Sequence, residues 1–242
     1  MKLSLYLVEK GEFATRSQAH NAIKDRKVTV NGKVITKDGF EVTEDDAISV
    51  EKDDFSYVSR GGLKLREALS KFEIRLENLT VLDIGASTGG FTDCCLQSGA
   101  KRVYAYDVGH DQLAEKLRND PRVISKEGVN GRQLSHSDFD ERIDFICMDV
   151  SFISCNKLLA NISDILEENG QTVILFKPQF EVGSANLNNK GVVKNKAIVK
   201  EKLDECIRYA ASLGLLNKGV IESPIKGQNG NQEYLLYFIR KG

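Results

Sequence analysis

The sequence predicts an α/β chain built on a doubly wound, mostly parallel sheet, with a small α+β module ahead of it. Three observations carry that prediction. From residue 80 onward, apolar runs of strand length alternate with helical stretches. The run Thr80-Val-Leu-Asp-Ile opens into a glycine-rich turn containing Gly85, Gly89 and Gly90. A second run, Arg102-Val-Tyr-Ala-Tyr, ends at Asp107, about 20 residues past that turn, where such a sheet sets the carboxylate that holds a ribose diol.

The elements follow in order. Residues 2–11 carry Leu3, Leu5, Tyr6, Leu7 and Val8 and predict a short helix ending at Gly11. A second helix, capped by Thr15 or Ser17, runs through about Asp25 with Ala19, Ala22 and Ile23 on its apolar side. Asn31-Gly32 between alternating apolar residues signals a hairpin, and Val42 to Val50 returns as a further strand. Residues 53–60 read as a linker between a 1–52 module and a 61–242 domain. The domain opens on a helix through about Phe72, with Leu63, Leu65, Ala68 and Leu69 on its apolar side. Strands are predicted at 80–84, 102–106, 122–125, 143–148, 171–176, 217–222 and 233–239, giving seven in the sheet. A ligand belongs beyond the carboxyl ends of these strands.

Composition narrows the class. The 242 residues are 41% hydrophobic, enough for one α/β domain plus a small appendage. No apolar run approaches the roughly 20 residues of a membrane span, and Glu9 and Lys10 interrupt any leader-like segment, so a cytoplasmic protein without a membrane partner is expected. The five cysteines (94, 95, 147, 155 and 206) form no C-x-x-C pair and read as packed thiols; the three histidines lack metal-ligand spacing, so no metal is expected. Net charge is −1, yet its distribution is uneven. Lys2, Lys10, Arg16, Lys24, Arg26, Lys27, Lys33 and Lys37 dominate the first stretch, an acidic run follows to Asp46, and Arg60, Lys64, Arg66 and Lys71 form a second basic group. Charge so separated suits a polyanion-binding face; a merely solvated surface is the bland alternative.

The glycine turn discriminates among cofactors. A dinucleotide fold wants glycine where this chain has Ser87, because a Cβ there crowds a pyrophosphate. The Gly-Lys-Ser/Thr ending of a P-loop is also missing. S-adenosylmethionine, with ribose and adenine but no phosphate, tolerates Ser87, so the spelling favours a methyltransferase over a nicotinamide enzyme or an unoccupied turn. On that reading Gly85, Ala86, Ser87, Thr88, Gly89 and Gly90 wrap the methionine part, Asp107 holds the ribose, Val108 lines the adenine, and Asn130 lies near the third strand end. Asp83 either reaches the amino-acid end through water or only braces the loop.

Three polar groups stand at strand ends: Asp149, Lys177 and Glu233; Lys64 lies on the helix before the glycine turn. A lysine buried beside a carboxylate is costly unless paired, so ordinary ion pairs are one reading and a reaction site around one cofactor is the other. Lys177 is the candidate to receive a substrate hydroxyl's proton or to stabilise the developing oxyanion. Base-amine methylation fits less well, since Asp149-Val-Ser-Phe stands where an Asn/Asp-Pro-Pro-Tyr/Phe run would be, and no cysteine follows proline as C5 methylation of a pyrimidine would want.

Two resemblances sharpen this reading. Arg16-Ser-Gln-Ala, Ile23 and Lys27-Val-Thr-Val-Asn-Gly-Lys-Val resemble an S4 RNA-binding domain, although Ser4 stands where that family often has Asp. The resemblance implies that Arg16, His20, Lys24, Lys27 and Lys33 meet RNA phosphates, with Arg60 of the second basic group as a further candidate. Lys64, Asp149, Lys177 and Glu233 resemble the tetrad of FtsJ-like ribose 2′-O-methyltransferases. Ser59-Arg-Gly-Gly-Leu-Lys-Leu, Asp83-Ile-Gly-Ala-Ser-Thr-Gly-Gly-Phe, Asp149-Val-Ser-Phe-Ile-Ser, Lys177-Pro-Gln-Phe-Glu and Ser223-Pro-Ile-Lys-Gly are similar to the TlyA, or haemolysin A, family. That implies S-adenosylmethionine-dependent methylation of cytidine ribose in ribosomal RNA, free or in subunits, with Asp149 also near the cofactor. Departures are His110-Asp111, where the family more often has Tyr-Gly, and Gly128-Val129 ahead of Asn130. Two alternatives stand beside it: a lytic protein, as the older family name has it, and a non-catalytic RNA-binding protein with a vestigial second domain.

Overall fold

A computed structural model describes the chain except residues 14, 15, 25, 38 and 51–56 and the side chains of residues 17, 18, 21, 24 and 228. The expected cap at Thr15, helix end at Asp25 and side chain of Lys24 therefore lie outside the described residues. The chain divides into two units, Met1–Ser56 and Tyr57–Gly242.

The smaller unit holds α1 (Leu3–Glu9), α2 (Arg16–Lys24), β1 (Val28–Val30), β2 (Lys33–Ile35) and β3 (Ile48–Val50). Leu3, Leu7, Ala19, Ala22, Ile23, Val28, Val30 and Val42 make its core. β1 is central, antiparallel to both neighbours. Asn31 (φ 51°) and Gly32 (φ 76°) both turn left-handed, as a two-residue hairpin turn demands. The strand expected over 42–50 is shorter. Asp46 folds residues 43–46 into a turn by accepting hydrogen bonds from the Thr43 N–H (2.8 Å) and from Asn31 Nδ2 (2.6 Å), and only Ile48–Val50 pair. These bonds, the Thr43 N–H first, hold the Asp46 carboxyl below its ordinary pKa.

The larger unit comprises α3 (Gly61–Lys71), β4 (Thr80–Ile84), α4 (Gly90–Gln97), β5 (Arg102–Tyr106), α5 (Glu115–Arg118), β6 (Val123–Lys126), β7 (Ile143–Met148), α6 (Leu159–Ile165), β8 (Leu166–Phe176), α7 (Lys196–Ser212), β9 (Leu215–Glu222) and β10 (Tyr234–Arg240). Its seven strands run in the order β6-β5-β4-β7-β8-β10-β9. The first five are parallel; β10 is antiparallel to β8 and β9. Period-two alternation divides the side chains between two cores. Val81, Val103, Phe145, Val173 and Leu235 face α3 and α4, whereas Leu82, Tyr104, Ile146, Ile174 and Leu236 face α6 and α7. Residues 57–60 belong with this unit, since Tyr57 is buried in its core beneath Gly62 and the Val58 N–H donates to Asp93 at 2.7 Å.

The topology positions the site. β4, β5, β7 and β8 end at one rim. Because β10 is antiparallel, its first residue, Tyr234, pairs with Phe176 at the end of β8, so the start of β10 joins the same rim.

Candidate active site

Two adjacent cavities open along that rim. One, of about 550 Å³, is lined by Lys64, Gly85 to Thr88, Asp149, Lys177 and Glu233, among others. The other, of about 460 Å³, is lined by Asp107, Val108, Asn130, Leu134 and Leu158, among others. Gly85, Ser87, Asp149, Ser151 and Phe152 line both and form the wall between them.

Lys64 of α3 and the three polar residues singled out at strand ends converge on the larger cavity as two ion pairs. Lys64 Nζ donates to Glu233 Oε2 at 2.6 Å, with side-chain exposures of 12% and 3%. Such burial is stable only because each charge has its counterpart. Gly227 lies against this pair, where a Cβ would collide with Glu233 Oε1. Lys177 Nζ lies 2.5 Å from Asp149 Oδ1 and donates to Ser151 Oγ at 2.9 Å.

The smaller cavity is fixed by main chain. Asp107 Oδ2 accepts from the Ser87 N–H (2.8 Å) and Oδ1 from the Gly109 N–H (2.6 Å), which orients the carboxylate while leaving each oxygen a further lone pair. Ser87 (φ 47°) and Gly85 (φ 86°) take left-handed turns, and a Cβ at Gly85 would strike the Asp149 carbonyl. Val108, Val129, Leu134, Ile153 and Leu158 supply apolar walls of a kind that suits a flat heterocycle. Asn130 lines this cavity and spends its side-chain oxygen on the Arg132 N–H (3.1 Å), capping a short turn.

Of the other expected cofactor residues, Gly90 lines the larger cavity, while Gly89 packs toward Leu113 and Leu117. Asp83 lines neither cavity. Its Oδ2 accepts from Thr92 Oγ1 at 2.7 Å, tying the end of β4 to α4, and its Oδ1 is buried. Burial pushes its carboxyl up to about 7 against the Thr92 hydrogen bond, with the charge of Asp149 adding to the rise.

The RNA-binding candidates divide between the units. Arg16, His20 and Lys33 are exposed on the smaller unit and Lys27 is half-buried there; Arg60 is exposed and lines the larger cavity. All five cysteines are buried free thiols and none lines either cavity, which leaves no nucleophile for C5 methylation. Burial pushes the Cys94 thiol up to about 12. Among the described residues there is no metal-binding cluster and no helix long and apolar enough to cross a membrane.

Sequence reasoning passed over two aromatic rings. Phe152 is 88% exposed and its φ is 63°, a left-handed backbone that costs a residue with a large side chain about 1–3 kcal/mol. Its ring meets that of Phe180, centroids 5.2 Å apart, at the rim of the larger cavity. Both lie inside quoted motifs, but nothing in their spelling signals a strained loop. Ser151, Lys226 and Gln112 were likewise missed as cavity-lining residues.

The fold and the glycine turn match the FtsJ-like methyltransferase family over residues 57–240, and residues 1–48 match the S4 domain. The chain belongs to the FtsJ-like methyltransferases. Within them it is similar to 16S/23S rRNA (cytidine-2′-O)-methyltransferase TlyA of Mycobacterium tuberculosis, at 39% identity over 96% of this chain and 87% of that one. It is 41% identical to Hemolysin A of Brachyspira hyodysenteriae over 99% of this chain and all of its relative. A solved structure of a hemolysin-named protein from Streptococcus thermophilus superimposes with a TM-score of 0.81 at 40% identity, covering 100% of this chain and 88% of that one. The two names thus attach to chains alike over nearly their whole length, and the chain is of the TlyA type. As an FtsJ-like enzyme it uses S-adenosylmethionine, and the Asp107 carboxylate and apolar walls of the smaller cavity fit that molecule's ribose and adenine.

Proposed function

We propose that this chain methylates the 2′-hydroxyl of a cytidine in ribosomal RNA, free or within a subunit, in the cytoplasm. The observation that carries the reading is the convergence of Lys64, Asp149, Lys177 and Glu233 on a cavity that shares a wall with the Asp107 cavity. Similarity to the rRNA (cytidine-2′-O)-methyltransferases supplies the substrate class.

When bound, S-adenosylmethionine supplies a sulfonium methyl that is already activated. The protein's share is alignment and the handling of one proton. Positioning of this kind supplies roughly 7–11 kcal/mol. Gly85 to Thr88 hold the methionine part, Asp107 the ribose, and Val108 with Leu134 and Leu158 the adenine. Lys177 donates to Ser151 and is ion-paired with Asp149; as the ammonium it stabilises the developing charge on the substrate 2′-oxygen, and as the neutral amine it takes the hydroxyl's proton. Glu233 holds Lys64 beside it. Phe152 and Phe180 offer a face on which the target base stacks, an interaction worth about 1–3 kcal/mol per base. Arg16, His20, Lys24, Lys27, Lys33 and Arg60 engage phosphates, which position RNA without reading its sequence.

The test is transfer of labelled methyl to free rRNA and to whole subunits, followed by mass mapping of the product. A ribose-methyl cytidine is expected. A base-methyl mark, or lysis of cells by the purified protein with no transfer to RNA, overturns the reading.

A further inference from the structure

The reaction-side groups sit on two loops that follow neighbouring strands. One runs from Asp149 to Cys155 after β7; the other is the tight turn Lys177–Glu181 after β8. Asp149 is pinned at its base, its N–H donating to the Ile84 carbonyl at 3.0 Å. The second loop is a single 3₁₀ turn, with Phe180 N–H to Lys177 O (2.9 Å) and Glu181 N–H to Pro178 O (3.0 Å). Lys177, Phe180 and Glu181 therefore move together. The far end of the first loop has no strand partner, and its exposed Phe152 buries too little to fix itself.

Glu181 closes that gap. Its Oε2 accepts from Ser154 Oγ at 2.6 Å and its Oε1 from the Cys155 N–H at 2.8 Å. One carboxylate thus takes two adjacent donors of the facing loop. It lines neither cavity and touches none of the four tetrad side chains. We propose that Glu181 is a positioning residue that straps the 149–155 loop to the 177–181 turn, so that Phe152 faces Phe180 and Lys177 meets Asp149 and Ser151. This role rests on the methyl-transfer reading given above. Bonds to a charged acceptor are about twice as strong as neutral ones, which suits a strap at a solvent-facing edge.

Two readouts test it in the full chain. In Glu181→Ala, turnover with labelled cofactor and rRNA is expected to fall at least tenfold, with KM for the cofactor within about twofold. Glu181→Gln, which still accepts from the Cys155 N–H and can donate to Ser154 Oγ, is expected to recover most of the loss. The second readout is thiol alkylation followed by peptide mass analysis. Cys155 is buried, its Sγ 3.5 Å from that of Cys206. Release of the strap is expected to speed Cys155 alkylation about tenfold while Cys94, Cys95 and Cys147 stay protected. Wild-type turnover with a protected Cys155 in Glu181→Ala overturns the proposal. So does a uniform rise across all the thiols that Glu181→Gln fails to rescue, since that marks general destabilisation. Selective exposure of Cys155 in a protein whose wild-type form methylates no RNA keeps the strap and discards the methyl-transfer reading.

Discussion

The two halves of the site are held by different means. On the Asp107 side, backbone N–H groups of Ser87 and Gly109 fix the carboxylate, and the partners lie within one βα turn and the next strand end. On the Lys177 side, side chains hold one another, and Lys64 and Glu233 are 169 residues apart in sequence. The first half is organised by local chain geometry, the second only once the whole sheet has closed. Damage to the first should therefore cost affinity, and damage to the second should cost rate.

The largest effect expected is in Lys177→Ala. Transfer should drop about 10²- to 10⁴-fold, the usual loss for a group that handles a proton or a developing charge, while the cofactor Kd from calorimetry stays within a few fold. An equal loss of cofactor affinity would dissolve the division between the halves. Next comes Glu233→Ala, which strands the Lys64 ammonium in a buried place. A loss of about 3–5 kcal/mol in denaturant unfolding is expected alongside lost activity. Glu233→Gln, which keeps an acceptor, should lose less stability.

Asp107→Ala probes the other half. Loss of charge-assisted bonds to a ribose is worth about 1.5–3 kcal/mol, so cofactor Kd should rise about ten- to a hundredfold while turnover at saturating cofactor changes little. The smallest effect is one of pH. Asp83 has its folded pKa raised from 3.8 to about 7 by burial, so its contribution to stability is full below about pH 4 and is lost as pH climbs through 7. Thermal unfolding of the cofactor-free protein should show this decline, and Asp83→Asn, with no proton to lose, should flatten it. An unchanged pH profile in Asp83→Asn would mean that its carboxyl titrates as an exposed acid does.

What could be read in the sequence follows the same division. The strands 80–84, 102–106 and 143–148 stand where they were expected, because continuous apolar runs buried on both faces leave few other conformations. The start of β8 at Leu166 was missed, since Glu167 to Gly170 carry no strand signal and bulge out of the ladder between the Ile143–Leu166 and Phe145–Gln171 pairs. The 42–50 strand was overextended because Asp46 offers a side-chain acceptor that turns the chain more cheaply than pairing would. Asp107 was legible from its spacing alone. The meeting of Lys64 with Glu233 was not, because it depends on an antiparallel last strand that no local pattern announces; family resemblance pointed to it. Phe152 escaped notice since its left-handed backbone is imposed by the loop.

The burial of every native thiol also has a practical side. A reporter cysteine introduced at exposed Lys200 of the larger unit (Lys200→Cys) would react with a maleimide dye far ahead of the others. That single fluorophore, paired with a fluorescent cofactor analogue in the same unit, would then report cofactor binding by energy transfer in real time.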